Sequence, residues 1–185
     1  MKKGIDQDAI IKAALTLLDK EGLKAVTLKN VSVLLGIKPP SLYNHIESLN
    51  ELLELTAKNC LAKLSQNLLE SVVGLQSKEA LLALSNEYRK FFKCYPNQYR
   101  LIQQVGVWSQ HAGASAESTK MIALLSKVLA KSGLSQKEMI HFIRAWRSYM
   151  HGFLLLETND SFKMKEDINA SFAYGLAIFA AKLKE

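Results

Sequence analysis

Between Thr27 and Ile46 the sequence reads Thr27-Leu28-Lys29-Asn30-Val31, then Leu34-Leu35-Gly36-Ile37-Lys38-Pro39-Pro40-Ser41-Leu42-Tyr43-Asn44-His45-Ile46. Hydroxyls, an amide, a phenol, an imidazole and two lysines lie close together here, with no paired carboxylates among them. Such groups suit the donor and acceptor pattern of base edges and phosphate oxygens better than bond-breaking chemistry. An asparagine such as Asn44 can pair with adenine through two hydrogen bonds, and the proline rings can touch thymine methyl groups.

The other chemically able residues are scattered. Cys60 and Cys94 stand apart and outside any Cys-x-x-Cys pattern, so neither a structural disulfide nor a zinc site is expected. Glu138 and His141 are three apart on one predicted helix. His141 and His151 share nearly one face but lie about 15 Å apart along it, too far to share a metal. Nucleophile elbows, Gly-rich phosphate loops and paired-carboxylate sites are missing from the sequence. The expectation is therefore a protein that is not an enzyme and holds no cofactor and no metal.

The elements that must position the Thr27–Ile46 groups are helical. Asp6 is a good N-cap for a first helix to Glu21, with Ile10, Ala13, Ala14, Leu17 and Leu18 as its apolar stripe and Gly22 as its stop. Thr27 caps a second helix that is expected to carry Leu28, Val31, Leu34 and Leu35 inward and to end at Gly36. A short third helix is expected from about Pro40 to Ile46. At 100° per residue its Leu42 and Ile46 share an inner face. Pro40, Ser41 and Asn44 then point outward, with Tyr43 and His45 on the flanks. A helix in a major groove needs this layout: small and amide groups meet bases, and phenol and imidazole reach the phosphate walls.

The same residues resemble the DNA-binding head of the TetR family, and Leu42-Tyr43-Asn44-His45 is the most specific part of the likeness. Glu51-Leu52-Leu53 fits that family's next helix, so the resemblance covers roughly residues 6–55. It implies phosphate contacts from Thr27, Tyr43 and His45, and base contacts from Lys38, Pro39, Pro40, Ser41 and Asn44. The family usually has a lysine where Leu49 stands, so one phosphate is expected to go without its cation there, with Lys2, Lys3 or Lys29 as replacements. The resemblance further implies an operator-binding homodimer, acting as a repressor that a small-molecule effector releases from a palindromic site.

Composition sharpens and limits this. The first arginine is Arg89, so the commonest guanine contact, a bidentate arginine, is absent from the head. Contacted half-site bases should lean toward A/T. The chain carries +7, but residues 1–50 hold seven lysines against five acids. A head with so little charge neutralises few phosphates, which favours a dimer that doubles the contacts. A small-molecule sequestering protein with a degenerate head is the alternative.

The remainder is a helical body. Ser48-Leu49-Asn50-Glu51 opens a long linking helix to about Leu69, and Ser135-Gln136-Lys137-Glu138 opens another to about Glu157. About nine helices are expected: a helix-turn-helix domain over 1–47 and an effector-binding and dimerisation domain over 48–185. Of fifteen aromatic residues, fourteen lie between Tyr88 and Phe179. Trp146, His151 and Gly152 resemble the Trp…His-Gly signature of one TetR-like C-terminal class. The last two helices are expected to pair with a second copy, with Phe142, Phe153, Leu154, Phe172, Leu176, Phe179 and Leu183 in that interface or in the core behind it. Tyr88, Phe92, Tyr95, Tyr99, Trp108, Trp146 and Tyr149 are candidates to line an effector pocket. The polar start of the chain and the lack of a long apolar run lead to a cytoplasmic expectation, with no membrane partner.

Overall fold

A computed structural model describes residues 5–105 and 116–184. Among the described residues all regular structure is helical: α1 (Gln7–Glu21), α2 (Leu28–Leu35), α3 (Leu49–Ser71), α4 (Ser77–Cys94), α5 (Pro96–Gln104), α6 (Ala116–Val128), α7 (Gln136–Thr158) and α8 (Ile168–Ala180). Short 3₁₀ segments occupy Leu23–Ala25 and Pro39–Asn44. Trp108 and His111 lie outside the described residues, as do Lys2 and Lys3.

The caps fall where local chemistry demands. The Asp6 carboxylate accepts from the Ala9 amide at 2.8 Å, and the Thr27 hydroxyl accepts from the Asn30 amide at 3.1 Å. Ser135 and Glu138 form a reciprocal capping box at the start of α7. Gly36 ends α2 in the left-handed conformation at φ 67°, which glycine adopts without steric cost.

The chain divides into two compact units: residues 1–63 with 95–118, and residues 64–94 with 119–185. Helix α3 contributes residues to both. The expected boundary at 47/48 follows the motif, whereas the first unit also takes in the start of α3 and all of α5.

In the first unit α1 packs against α2 and α5. Ile10, Ala14, Leu18, Val31, Leu42 and Leu52 are among its buried residues. Leu34 departs from expectation: it is 50% exposed rather than inward. The buried stripe of α2 runs between Val31 and Ser32, and Leu34 lies roughly 110° from its centre at 100° per residue, whereas Leu28 and Leu35 lie close to it. Helix α5 is held by its first turn. The Asn97 amide donates to the Leu18 carbonyl at 3.0 Å, a second bond to an oxygen that also accepts from the Gly22 amide, and the Gln98 amide donates to the Asp19 carboxylate at 2.9 and 3.0 Å. Cys60, sealed in this core, has its thiol pushed up to about 12, chiefly by burial.

In the second unit α4 packs against α7 and α8, and these two pack together. Phe91, Phe92, Met150, Leu154, Phe172 and Leu176 are buried. The α7–α8 approach is close: a Cβ on Gly175 would collide with the Tyr149 phenol. The phenol hydroxyl donates to the Phe172 carbonyl at 2.9 Å.

Candidate nucleic-acid interface

The segment expected to read a groove is a 3₁₀ turn, Pro39–Asn44, in place of the expected α-helix. Two prolines at its start remove two amide donors and fix φ, so the segment begins without a side-chain cap from Lys38. Its end widens toward an α-turn, since the His45 and Ile46 amides both donate to the Leu42 carbonyl at 2.9 and 3.1 Å.

The tighter winding leaves the division of faces intact. Leu42 and Ile46 are buried. Lys38, Pro39, Pro40, Ser41 and Asn44 are exposed, as is Tyr43 at 57%. His45 is half-buried. With three residues per turn, Ser41 lies above Asn44 and Pro40 above Tyr43, giving two short ridges on the outer surface. The side chains of Tyr43 and Asn44 make no hydrogen bond among the described residues, so both are available to a ligand.

The element is anchored at its far end, and the helix before it at its entry. The Gln7 amide donates to the His45 carbonyl at 3.1 Å, tying the start of α1 to the end of the 3₁₀ segment. The Asn30 side chain donates to the Ala25 carbonyl at 2.9 Å, holding the entry to α2. Because the Thr27 oxygen already accepts from Asn30, its own proton remains for an outside acceptor such as a phosphate. Lys29 is exposed on the first turn of α2. Leu49 is half-buried at the start of α3, whose first turn carries Glu51 instead of a cation. The anchoring bonds of Gln7 and Asn30 are not legible in the sequence, because they join positions related only by tertiary packing or by a turn.

The aromatic candidates fall in both units. Tyr95 and Tyr99 belong to the first, where Lys63 stands 3.5 Å over the Tyr95 ring and Tyr99 is buried. Tyr88, Phe92, Trp146 and Tyr149 belong to the second. There Trp146 donates from its indole nitrogen to the Ser85 hydroxyl at 2.9 Å and meets Tyr88 edge-on at 6.3 Å between centroids. Tyr149 packs among Phe153, Phe172 and Phe179. Burial raises its phenol pKa, an effect that the positive charge of Arg89 opposes. Beside this cluster Arg89 grips Glu157 through two hydrogen bonds of 2.6 and 2.9 Å and lies 4.5 Å over the Phe172 ring. The paired cation holds the Glu157 carboxyl below its ordinary value. His151, partly buried and facing Arg147, is shifted down, first by burial and then by that charge.

Residues expected at a dimer interface or in the core behind it all lie in the second unit and fall to its core. Phe142, Leu154, Phe172, Leu176 and Leu183 are buried, and Phe153 and Phe179 half-buried, within the unit itself. The exposed apolar residues of α7 and α8 are instead Ile140, Leu155, Leu156, Tyr174 and Ile178. Ala145, Ala173 and Ala177 lie exposed on the same helices.

Among the described residues no group of three or more His, Cys, Asp or Glu side chains could hold a metal ion, and no described helix is long and apolar enough to cross a membrane.

A family model described as the tetracyclin repressor-like C-terminal domain matches residues 81–179, a span that includes Trp146, His151 and Gly152. The chain is 31% identical over 182 residues to YobS, an uncharacterized HTH-type transcriptional regulator of Bacillus subtilis, covering 97% of this chain and 93% of that protein. The crystal structure of BioQ with its natural double-stranded DNA operator superposes with a TM-score of 0.71 at 19% identity, over 96% of this chain and 97% of that one. The TetR variant Q116A of Acinetobacter baumannii, in complex with minocycline, gives 0.70 at 22% identity over 96% of each chain. With the family model over more than half its length and a regulator aligned from end to end, the chain belongs to the TetR family of DNA-binding helix-turn-helix transcriptional regulators.

Proposed function

We propose that the protein is a repressor that binds a palindromic operator as a homodimer and leaves it when a small molecule binds the body. The observation that carries the operator reading is the outward display of Pro40, Ser41, Tyr43 and Asn44 over buried Leu42 and Ile46. Pro39, Pro40, Ser41, Asn44 and Lys38 are assigned to base edges. Thr27, Lys29, Tyr43 and His45 are assigned to phosphates. The phosphate set fixes register and the base set selects sequence.

The exposed apolar residues of α7 and α8 support dimerisation through the last two helices. Tyr174 is 75% exposed and Ile178 58% exposed, and burying such residues against a second copy removes apolar surface from water. Replacing Tyr174 and Ile178 by glutamate should give a monomer on light scattering with helicity unchanged.

Effector binding is assigned to the aromatics of the second unit among the candidates, Tyr88, Phe92, Trp146 and Tyr149. Tyr88, Phe92 and Trp146 are already packed against protein, so a ligand among them must select a conformer with that packing opened. Such a preference is the physical route by which a body ligand alters the heads.

The deciding experiment is operator selection from a random library followed by mobility shifts across salt. A palindromic site with contacted A/T bases and a steep log–log loss of affinity supports the reading. Absence of retention on any sequence overturns it and returns the small-molecule sequestering alternative.

A further inference from the structure

Two clefts in the second unit meet just beyond the end of α3. The first, of about 390 Å³, is walled by Leu69, Val72 and Val73 on one side and by Leu124 and Val128 of α6 on the other, with Lys127 and Lys131 beside it. The second, of about 440 Å³, is lined by Ser77, Lys78 and Glu79 at the first turn of α4. Gly74, Gln76 and Lys131 line both, so an apolar trough opens into a polar, cationic one.

We propose that this double cleft binds a single-chain amphipathic carboxylate, its alkyl tail between Leu69 and Val128 and its headgroup at Lys131 and the first turn of α4. Three observations converge on that chemistry. Each half has a volume within the roughly 300–1,000 Å³ typical of small-molecule sites. The charge is net positive where the headgroup would sit: Lys78 and Lys131 line that cleft with a single acid, Glu79, and neither Lys131 nor Lys127, beside the apolar half, makes an ion pair among the described residues. Beside the polar half, the Ser77 hydroxyl is buried without a hydrogen-bond partner, on a residue only 4% exposed.

A buried unpaired hydroxyl costs free energy that an arriving acceptor recovers. After a χ1 rotation it can donate to a carboxylate that the amides of the first turn of α4 also favour. Glu79 repels a second negative charge, which selects a monocarboxylate over a phosphate ester. The apolar walls select a hydrocarbon tail over a sugar or nucleotide. The site is separate from the groove-reading element and does not depend on the operator reading.

Calorimetry of the full chain with decanoate, below its micelle concentration, tests the proposal. One saturable site per chain is expected. Affinity should rise about fourfold per methylene from hexanoate to decanoate, the equivalent of burying one CH₂. Decanol should bind about tenfold more weakly, as should decanoate to the Lys131→Gln variant. Ala130→Trp, at an exposed position lining the apolar half, should fill the cleft and abolish binding. Both variants should unfold at the wild-type temperature. The proposal is overturned if decanoate shows no saturable binding, if both variants bind it as wild type does, or if the chain binds anionic phosphatidylglycerol vesicles but not monomeric decanoate.

Discussion

Replacing Asn44 by alanine and Tyr43 by phenylalanine separates base reading from phosphate holding. Both side chains are exposed and neither hydrogen-bonds within the described residues, so each change should alter folding stability by no more than about 0.5 kcal/mol. Any drop in affinity then reports the interaction with DNA itself. A bidentate amide–adenine pair is worth about 1–3 kcal/mol, which is roughly 5- to 150-fold per half-site. A hydroxyl donating to a charged phosphate is worth about 1.5–3 kcal/mol, or roughly 10- to 150-fold. The magnitudes overlap, but the patterns differ. Asn44→Ala should lose affinity only on the selected operator and match wild type once the contacted adenine is replaced. Tyr43→Phe should lose the same factor on every sequence. Neither removes a cation, so the salt slope should stay fixed, whereas Lys29→Ala should lower it by about 0.9 for each phosphate that is no longer neutralised. Fluorescence anisotropy on the operator and its single-base variants, at several salt concentrations, measures all of these. The reasoning fails if Asn44→Ala loses affinity uniformly, or if Tyr43→Phe leaves every affinity unchanged.

Four further outcomes follow from the packing. Glu157→Ala strands the Arg89 cation, whose side chain is only 12% exposed, and should cost about 3 kcal/mol in urea denaturation, much of it restored by Arg89→Met in the same chain. The Glu157 pKa is lowered on folding, so its stabilising contribution is complete above the ordinary glutamate range and is lost as pH falls through the depressed value. The lowered His151 pKa adds to this acid destabilisation, because the unfolded chain takes up that proton first; urea midpoints from pH about 7 to about 3 should fall less steeply in Glu157→Ala than in wild type. One equivalent of a thiol reagent should label exposed Cys94 in the native protein, with Cys60 reacting only on unfolding; rapid labelling of both thiols would contradict the sealed core. Gly175→Ala pushes a methyl against Tyr149 and should cost about 1–3 kcal/mol, read as a lowered melting temperature and a changed near-UV tyrosine signal.

Local chemistry fixed much of the head before any packing was known. Asp6, Thr27 and Ser135 cap their helices through bonds spanning three residues, which a sequence displays directly. The outward set at Pro40, Ser41 and Asn44 was legible for a similar reason: Leu42 and Ile46 are the apolar side chains of this stretch and both are buried, and the polar groups take what remains. The 3₁₀ winding itself was not legible, since two consecutive prolines allow either form and anchoring of the far end by Gln7 comes from another helix.

The body was legible only as a set of helices. That α5 joins the first unit depends on Asn97 and Gln98 meeting Leu18 and Asp19, residues 79 positions away, and no periodicity encodes such a pairing. Aromatic content marked the interior but not its partition. A phenylalanine suits a monomer core, a dimer face or a ligand wall equally well by type, and only tertiary packing buried Phe142 and Phe172 while leaving Tyr174 and Ile178 outside. Short-range hydrogen bonding and alternation of faces are properties of the chain, so the sequence alone determined the helix-turn-helix and its outward residues. Burial belongs to the folded whole, so the tertiary structure decided which apolar side chains are core and which remain for a partner.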